Sequence, residues 1–526
     1  NHKNTDMGGF LMSQMPDSIQ SNYKTRNIGW TIVSLIFLSM ILLFHIIQFG
    51  KDLIISFKAL NIAQGIFDSP WVGFQNYSTL LSNFMFGKVL RNTFVFNLLF
   101  SGISFILVVF VGYLLNSLPK GISRVITAFL GLLLFLPAEV FSGWIVQLFG
   151  TDILVNPVSM QYFYPFLCSI KYLGLPLILI AIRNEIYTER DNLVPVKLAG
   201  LYSLVSLIFV SNSFFTLANA FTNPLNYETM DMLDIFSYRA GLVQANMSVN
   251  AAVGVIQTLI TIVSAAVLFV PILTLFRSIF HGKRKDSYEE SVLIKWIPSL
   301  IALVLFAVVY FLPYMNKGYS FDLAQFGEQI DLTGSISVFI MVSAVSALIA
   351  TTLAAAMSGA FLNTNRFIKI AAGFLLTLIT VLYISPIRYS SYSLIRQMGL
   401  LNTIFAVVAS TLFSSAAVWA MICMLRDDPM PKGKSLFLSM LGLFLIQTAL
   451  IYGNSTVHLV YLTQMHMSPL LTMRQLVQML GGQADRSAVG FYGFVVSLPP
   501  LLLFLAVNIF LPRDKMLAVI SAGVKN

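Results

Sequence analysis

Few residues in this chain are placed to do chemistry, and most of them lie inside long apolar runs. Glu139 follows Pro137 within "FLPAEVFSGWIVQLFG" (135–150). A charge at mid-bilayer costs about 2.5–3.5 kcal/mol on insertion scales, so a carboxylate kept there needs a reason. It is either a path or gate group, or it is hydrogen-bonded to a neighbouring helix. Asn212, Asn219 and Asn223 follow at i, i+7 and i+11 in another apolar run. On one helix that spacing predicts a shared face, as contact with a hydroxyl-rich solute requires. Interhelical hydrogen bonding is the alternative. Asn454 and His458, at i and i+4, form a similar pair, with His458 also readable as a plain helix–helix partner. Gln257 and Gln447 are weaker candidates of the same kind. No metal-ligand spacing, nucleophile motif or paired carboxylates stand out. The expectation is a chain that is not an enzyme, with no catalytic and no metal-binding residues.

The elements that position these residues follow from composition. Of 526 residues, 57% are hydrophobic and 10% are charged. Soluble domains carry roughly 25% charged residues, so this chain lacks the polar surface to cover itself in water. It is expected to be an all-α integral membrane protein, with the lipid bilayer as its first partner. The net charge of +10 needs no nucleic acid, because cytoplasmic loops of membrane proteins collect Lys and Arg. Cys168 and Cys423 both fall in apolar runs, which reads as buried thiols rather than a disulfide or metal framework.

A helix needs about 20 apolar residues to cross the hydrocarbon core. Runs of that kind sit near 28–50, 90–116, 124–149, 163–182, 195–222 and 247–280. A second set sits near 295–315, 334–360, 367–395, 402–425, 435–463 and 487–511. The reading is twelve spans in two halves, 28–280 and 295–526. A polar tail, 1–27, precedes them, and the charged linker 281–294, with "HGKRK", joins them. Lys and Arg gather in the segments that lie inside if the N-terminus is inside, which predicts cytoplasmic N- and C-termini. The loop 223–245, with Glu228, Asp231 and Asp234, falls outside.

The order of several segments resembles a known family. "VGFQNYSTLLSN" (72–83), "VLRNTFVFNL" (89–98), "VGYLLN" (111–116), the 135–150 stretch and "YRAGLVQANMSVNAAVGVI" (238–256) follow one another. They are similar to the first permease subunit of carbohydrate-uptake ABC importers of the maltose and glycerol-phosphate type. "MGLLNT" (398–403), "YGNSTVHLVYL" (452–462) and "LAVISAGVKN" (517–526) resemble the partner subunit. The resemblance implies both permease subunits fused in one chain of a bacterial inner membrane. It implies a solute path between the halves, lined by Glu139, Asn219, Asn223, Gln257, Asn454 and His458. Asn454 matches the Asn of the family's Trp-Asn pattern, with Gly453 in place of the Trp. It also implies separate ATPase subunits and an extracytoplasmic solute-binding protein. The chain has no G-x-x-x-x-G-K-[ST] phosphate loop, so no cofactor is expected in it, and ATP would be used by the partner subunits.

One departure bears on coupling. Family permeases carry a cytoplasmic Glu-Ala-Ala…Gly loop with a short helix that docks in the ATPase. Here that position holds "RNEIYTERDNL" (183–193) in the first half and "RDDPMPKGK" (426–434) in the second. Neither has the pattern, and prolines at 429 and 431 oppose a helix. The first loop is a bare connector or a trimmed docking site, with Glu185, Glu189 and Asp191 as candidate contacts. Lys525 in the tail is a further candidate. Two functions therefore stand open: a transporting permease, or a permease-like scaffold or sensor without ATPase coupling.

Overall fold

Most apolar runs fold as long helices, several with proline inside them (Pro165, Pro271, Pro298, Pro499), and a few runs break. The computed structural model describes residues 44–188, 191–280, 292–315, 332–363, 366–382, 388–426, 433–462, 468–479, 486–513 and 515–516. Gly29, Ile32, Ile36 and Ser39 are described as well. These residues form helices and no sheet.

The first half comprises α1 (44–56), α2 (Phe84–Ser117), α3 (Lys120–Phe135), α4 (Ala138–Phe149), α5 (Pro157–Tyr172), α6 (Gly174–Ile186), α7 (Val194–Ile208), α8 (Phe215–Phe221), α9 (Leu233–Tyr238) and α10 (Met247–Ile279). The second half comprises α11 (Val292–Met315), α12 (Leu332–Asn363), α13 (Arg366–Leu382), α14 (Tyr389–Gln397), α15 (Ile404–Thr411), α16 (Ser415–Arg426), α17 (Gly433–Gly453), α18 (Ser455–Tyr461), α19 (Pro469–Met479) and α20 (Arg486–Phe510). Side-chain caps start the long helices where the sequence offers them. Asn83 accepts from the Met85 N–H ahead of α2, and Asn246 from the Val249 N–H ahead of α10. At 34 residues, α2 is about 50 Å long, more than a bilayer core requires.

The chain is a multi-pass α-helical membrane protein, but the span count differs from twelve. Among the described residues seven helices are long and apolar enough to cross a bilayer, or nine if each of two bent pairs counts as one span. The bent pairs are α3 with α4, at 107°, and α15 with α16, at 51°. The remaining three runs account for the difference. Most of 28–50 lies outside the described residues. The 195–222 run stops at Ile208 and resumes as the short α8. The 367–395 run yields α13, whose apolar stretch is too short to cross. Proline explains the sharpest bend. Pro137 lacks an N–H and holds Leu136 extended (φ −63°, ψ 125°), so α3 cannot continue.

The same pairings recur in both halves. α2 packs on α5 and α7, α7 on α10, and α3 on α6; likewise α12 packs on α16 and α17, α17 on α20, and α13 on α16. Between halves the packing is also reciprocal. α20 packs on α3 and α4, and α10 on α13 and α14. Each half places its first helix on the other half. α11 lies on α3 and α4, where Gly493 of α20 lets three helices converge. A methyl group there would lie 2.6 Å from the Tyr310 hydroxyl and 3.2 Å from Val140. Small residues permit such approach in membranes. α1 in turn reaches α14. The buried Asp52 pairs with Arg388 at 3.0 Å and accepts from the Ser390 N–H and hydroxyl. His45 meets the edge of Phe413. Burial also corrects one expectation: Cys168 is buried as expected, but Cys423 is exposed on the protein's outer surface.

Breaking a buried ion pair leaves its partner charge uncompensated and costs about 3–5 kcal/mol. Asp52→Ala is therefore expected to lower thermal stability in detergent by an amount of that order. The exchange Asp52→Arg with Arg388→Asp should restore part of it. An unchanged melting curve for Asp52→Ala would show that α1 is held by apolar contact alone.

Candidate functional site

The breaks in α3–α4, α7–α8 and α17–α18 bring polar groups into the middle of the bundle. α8 packs on α4 and on α18, and α19 packs on α4 and α18. These four segments form the junction between the halves.

Each break leaves backbone groups that hydrocarbon cannot satisfy. The end of α3 is met by Lys171 of α5, whose Nζ donates to the Leu133 and Leu136 carbonyls. The ammonium also lies over the Phe141 ring, 5.2 Å from its centre. The 209–214 break is met from three sides. Asn97 donates to the Val210 and Asn212 carbonyls, and Gln257 to the Ser211 carbonyl. Asp234 accepts from the Ser213 N–H at 2.6 Å and from Gln257 at 2.7 Å. Phe214 adopts a left-handed conformation (φ 53°) there, which costs a non-glycine residue energy that the surrounding bonds must offset. Tyr164 closes the turn by donating to the Ser213 carbonyl.

The expected path residues separate on this frame. Glu139 lies in the first turn of α4 and is buried; Ser455 of α18 is beside its carboxylate, and the cations acting on it are Arg474 and Lys171. Its Oε2 has no hydrogen-bond partner among the described residues. Asn219 of α8 is buried with its Nδ2 likewise unpartnered. Asn454 is the half-buried residue between α17 and α18. His458 of α18 is fully buried, with Nδ1 2.8 Å from the Ser468 hydroxyl and its ring against Phe339. These four lie on segments that meet at the junction.

Two others do not belong to it as expected. Asn223 lies beyond α8 and holds a turn, with its side chain on the Leu154 carbonyl and on the Leu225 and Asn226 N–H groups. Asn212, Asn219 and Asn223 therefore do not share a helix face, because the helix ends at Ile208 and restarts in a new direction. Gln257 donates to the 209–214 break and to Asp234, and its Oε1 has no hydrogen-bond partner among the described residues.

Among the partner-contact candidates, Glu185 is committed within the chain. Its two oxygens pair with Arg124 and Arg513, each at 3.0 Å, and so tie the first half to the end of α20. Asp191 caps the Leu193 N–H and pairs with Lys197 at 2.6 Å. The Lys197 hydrogen bond holds its carboxyl below the usual carboxylate range. Glu189 and Lys525 lie outside the described residues. α6 ends at Ile186 and α7 begins at Val194, while α16 ends at Arg426 and α17 begins at Gly433.

The sequence reading missed Lys171, Asn97, Asp234, Ser455 and Arg474. Lys171 carried a signal, being a lone cation in an apolar run. Asp234 and Arg474 carried none. They lie in segments read as loops outside the membrane, which fold back into the bundle as α9 and α19.

Lys171→Met should destabilise the protein by about 1–3 kcal/mol for each carbonyl left unmet, read as a lower melting temperature in detergent. No shift would show that the α3 end needs no donor. Spin labels at Asn219 and Asn454 are expected on the order of 10–20 Å apart, as for packed helices. A separation of twice that would place the two breaks in separate environments. Comparison of the chain with protein-family models, with curated proteins and with solved structures finds no match to any of the three.

Proposed function

We propose that the chain is the fused permease of an ABC-type importer for a carbohydrate or related polar solute, working by alternating access between its halves. In this reading it crosses the bacterial inner membrane twelve times. The nine described crossings are joined by the 28–50 run and by the broken crossings of 194–221 and 366–397. The end of the bundle bearing Arg124, Glu185 and Arg513 faces the cytoplasm, as do both termini. Separate ATPase subunits and an extracytoplasmic binding protein complete the machine.

The observation that carries the reading is the junction itself. The α7–α8 and α17–α18 runs both break, and α8 and α18 come into contact. The segments that meet there carry buried polar atoms without partners among the described residues, on Glu139, Asn219, Arg474 and His458. Buried polar groups are normally hydrogen-bonded, and leaving one unmet costs about 1–3 kcal/mol. A hydroxyl-rich solute passing between the halves supplies both donors and acceptors.

A second reading, a permease-like scaffold or sensor without ATPase coupling, is favoured by the connectors. The chain from Ile186 to Val194 is too short for a docked helix, since helices below about 12 residues are marginal without packing. Glu185 is already paired. Purification from native membranes separates the two. Co-purification of an ATPase whose hydrolysis responds to a binding protein and solute supports transport. A stable complex with other membrane proteins and no ATPase supports the scaffold.

Asn219→Leu and Asn454→Leu are expected to impair solute binding or uptake while leaving the protein assembled. Interhelical hydrogen bonds in membranes average only about 0.6 kcal/mol. Normal solute handling in both variants would make these residues structural and remove the path.

A further inference from the structure

We infer that the solute taken at this junction carries an anionic group, a carboxylate or a phosphate, which Arg474 receives; the inference rests on the permease reading. It comes from the charges on the segments that meet there. α8 and α18 carry no Asp, Glu, Lys or Arg. α4 contributes Glu139 alone and α19 contributes Arg474 alone. α5 contributes Lys171, whose ammonium lies over Phe141 of α4. One carboxylate thus faces two cations.

The two cations are not equivalent. Lys171 is buried and already engaged, with its ammonium on two carbonyls and over two aromatic rings. Its charge and that of Glu139 act on each other. Arg474 has neither kind of support. Its side chain is half-buried, and its Nη1 is buried with no hydrogen-bond partner among the described residues, where Arg474 also forms no ion pair. Glu139 acts on it only from a distance, beyond ion-pair contact, and keeps its own Oε2 unpartnered.

A guanidinium left so in a membrane protein is costly, and arginines inside bundles mark substrate pathways or pair with anions. Its planar fork matches a carboxylate or phosphate with two parallel hydrogen bonds. A solute with an anionic group at one end and hydroxyls at the other would meet both Arg474 and Glu139, whose helices pack together. The hydroxyls would donate to Glu139 and accept from the Asn219 amide. A neutral saccharide would use the acceptor and leave the guanidinium uncompensated.

The test uses the full chain in nanodiscs of phosphatidylcholine, so that no anionic lipid headgroup supplies the charge. Melting temperatures are measured with glucose, glucose 6-phosphate, glucuronate and inorganic phosphate at equal ionic strength, for the native protein, Arg474→Gln and Arg474→Lys. The expected result is saturable stabilisation by glucose 6-phosphate or glucuronate, showing which anion is preferred, and none by glucose. Arg474→Gln should weaken that binding by about 10- to 100-fold, as for a hydrogen bond to a charged group. Arg474→Lys should retain part of it. Without solute, Arg474→Gln should melt no lower than the native protein, because it removes an uncompensated charge.

Equal stabilisation by glucose and its anionic forms overturns the inference and leaves the permease reading standing. Stabilisation by none of the anionic solutes overturns it as well, and if glucose also fails the permease reading loses its support. A lower melting temperature for Arg474→Gln in the absence of solute would make Arg474 a structural partner and overturn the inference. Equal stabilisation by inorganic phosphate alone, unchanged in Arg474→Gln, would place the anion elsewhere and do the same.

Discussion

A helix that breaks within a bilayer leaves carbonyl and amide groups that no water reaches, and the bundle is organised around meeting that need. In hydrocarbon, irregular backbone is tolerated only where protein or a polar cavity satisfies it. Lys171 does this for the end of α3, and Asn97, Gln257 and Asp234 do it for the 209–214 break. The polar residues that an apolar chain retains are therefore mostly committed to backbone. That commitment gives the uncommitted ones their meaning. Glu139 and Asn219 are buried at this junction and Arg474 is half-buried there, and each holds a buried atom with no hydrogen-bond partner among the described residues.

The breaks also explain why segments read as loops return into the bundle. Asp234 must reach Ser213 and Gln257, which draws α9 against α2 and α10. Asn92 of α2 anchors the same segment on the Glu228 and Asp231 carbonyls. In the second half α19 occupies the space beside α4. Each half thus lends a segment between its last two crossings to the polar interior. The cost of dehydrating these segments is offset by the backbone bonds they complete and by the apolar contacts they bury.

Recurring helix pairings set the rest. The same packing pattern appears in the residues before and after the 281–291 segment, and each set packs its first helix on the other. The exchange makes the halves hard to separate without exposing buried ion pairs. At one end of the bundle Glu185 bridges Arg124 and Arg513. There the last turn of α6 is tied both to α3 and to the segment that follows α20.

The sequence by itself determined the class of the protein, all-α and multi-pass, and the places of its long helices. Those features depend on runs of apolar residues and on where charge is excluded, and both are local properties of the chain. It also marked Glu139, Asn219, Asn454 and His458, because polar residues in apolar runs are conspicuous. Only the tertiary structure decided what each one meets. Asn223 has the same composition-level signal as Asn219 but holds a turn, and the Gln257 amide donates to a break. The count of unbroken crossings was likewise not local. The 195–222 run is apolar enough to be read as one span, yet it breaks at 209–214 because Asn97, Asp234 and Gln257, far apart in sequence, are folded to hold it open. Hydropathy registers how greasy a segment is. Whether its backbone can afford to leave the helix depends on which donors the fold brings within hydrogen-bond reach.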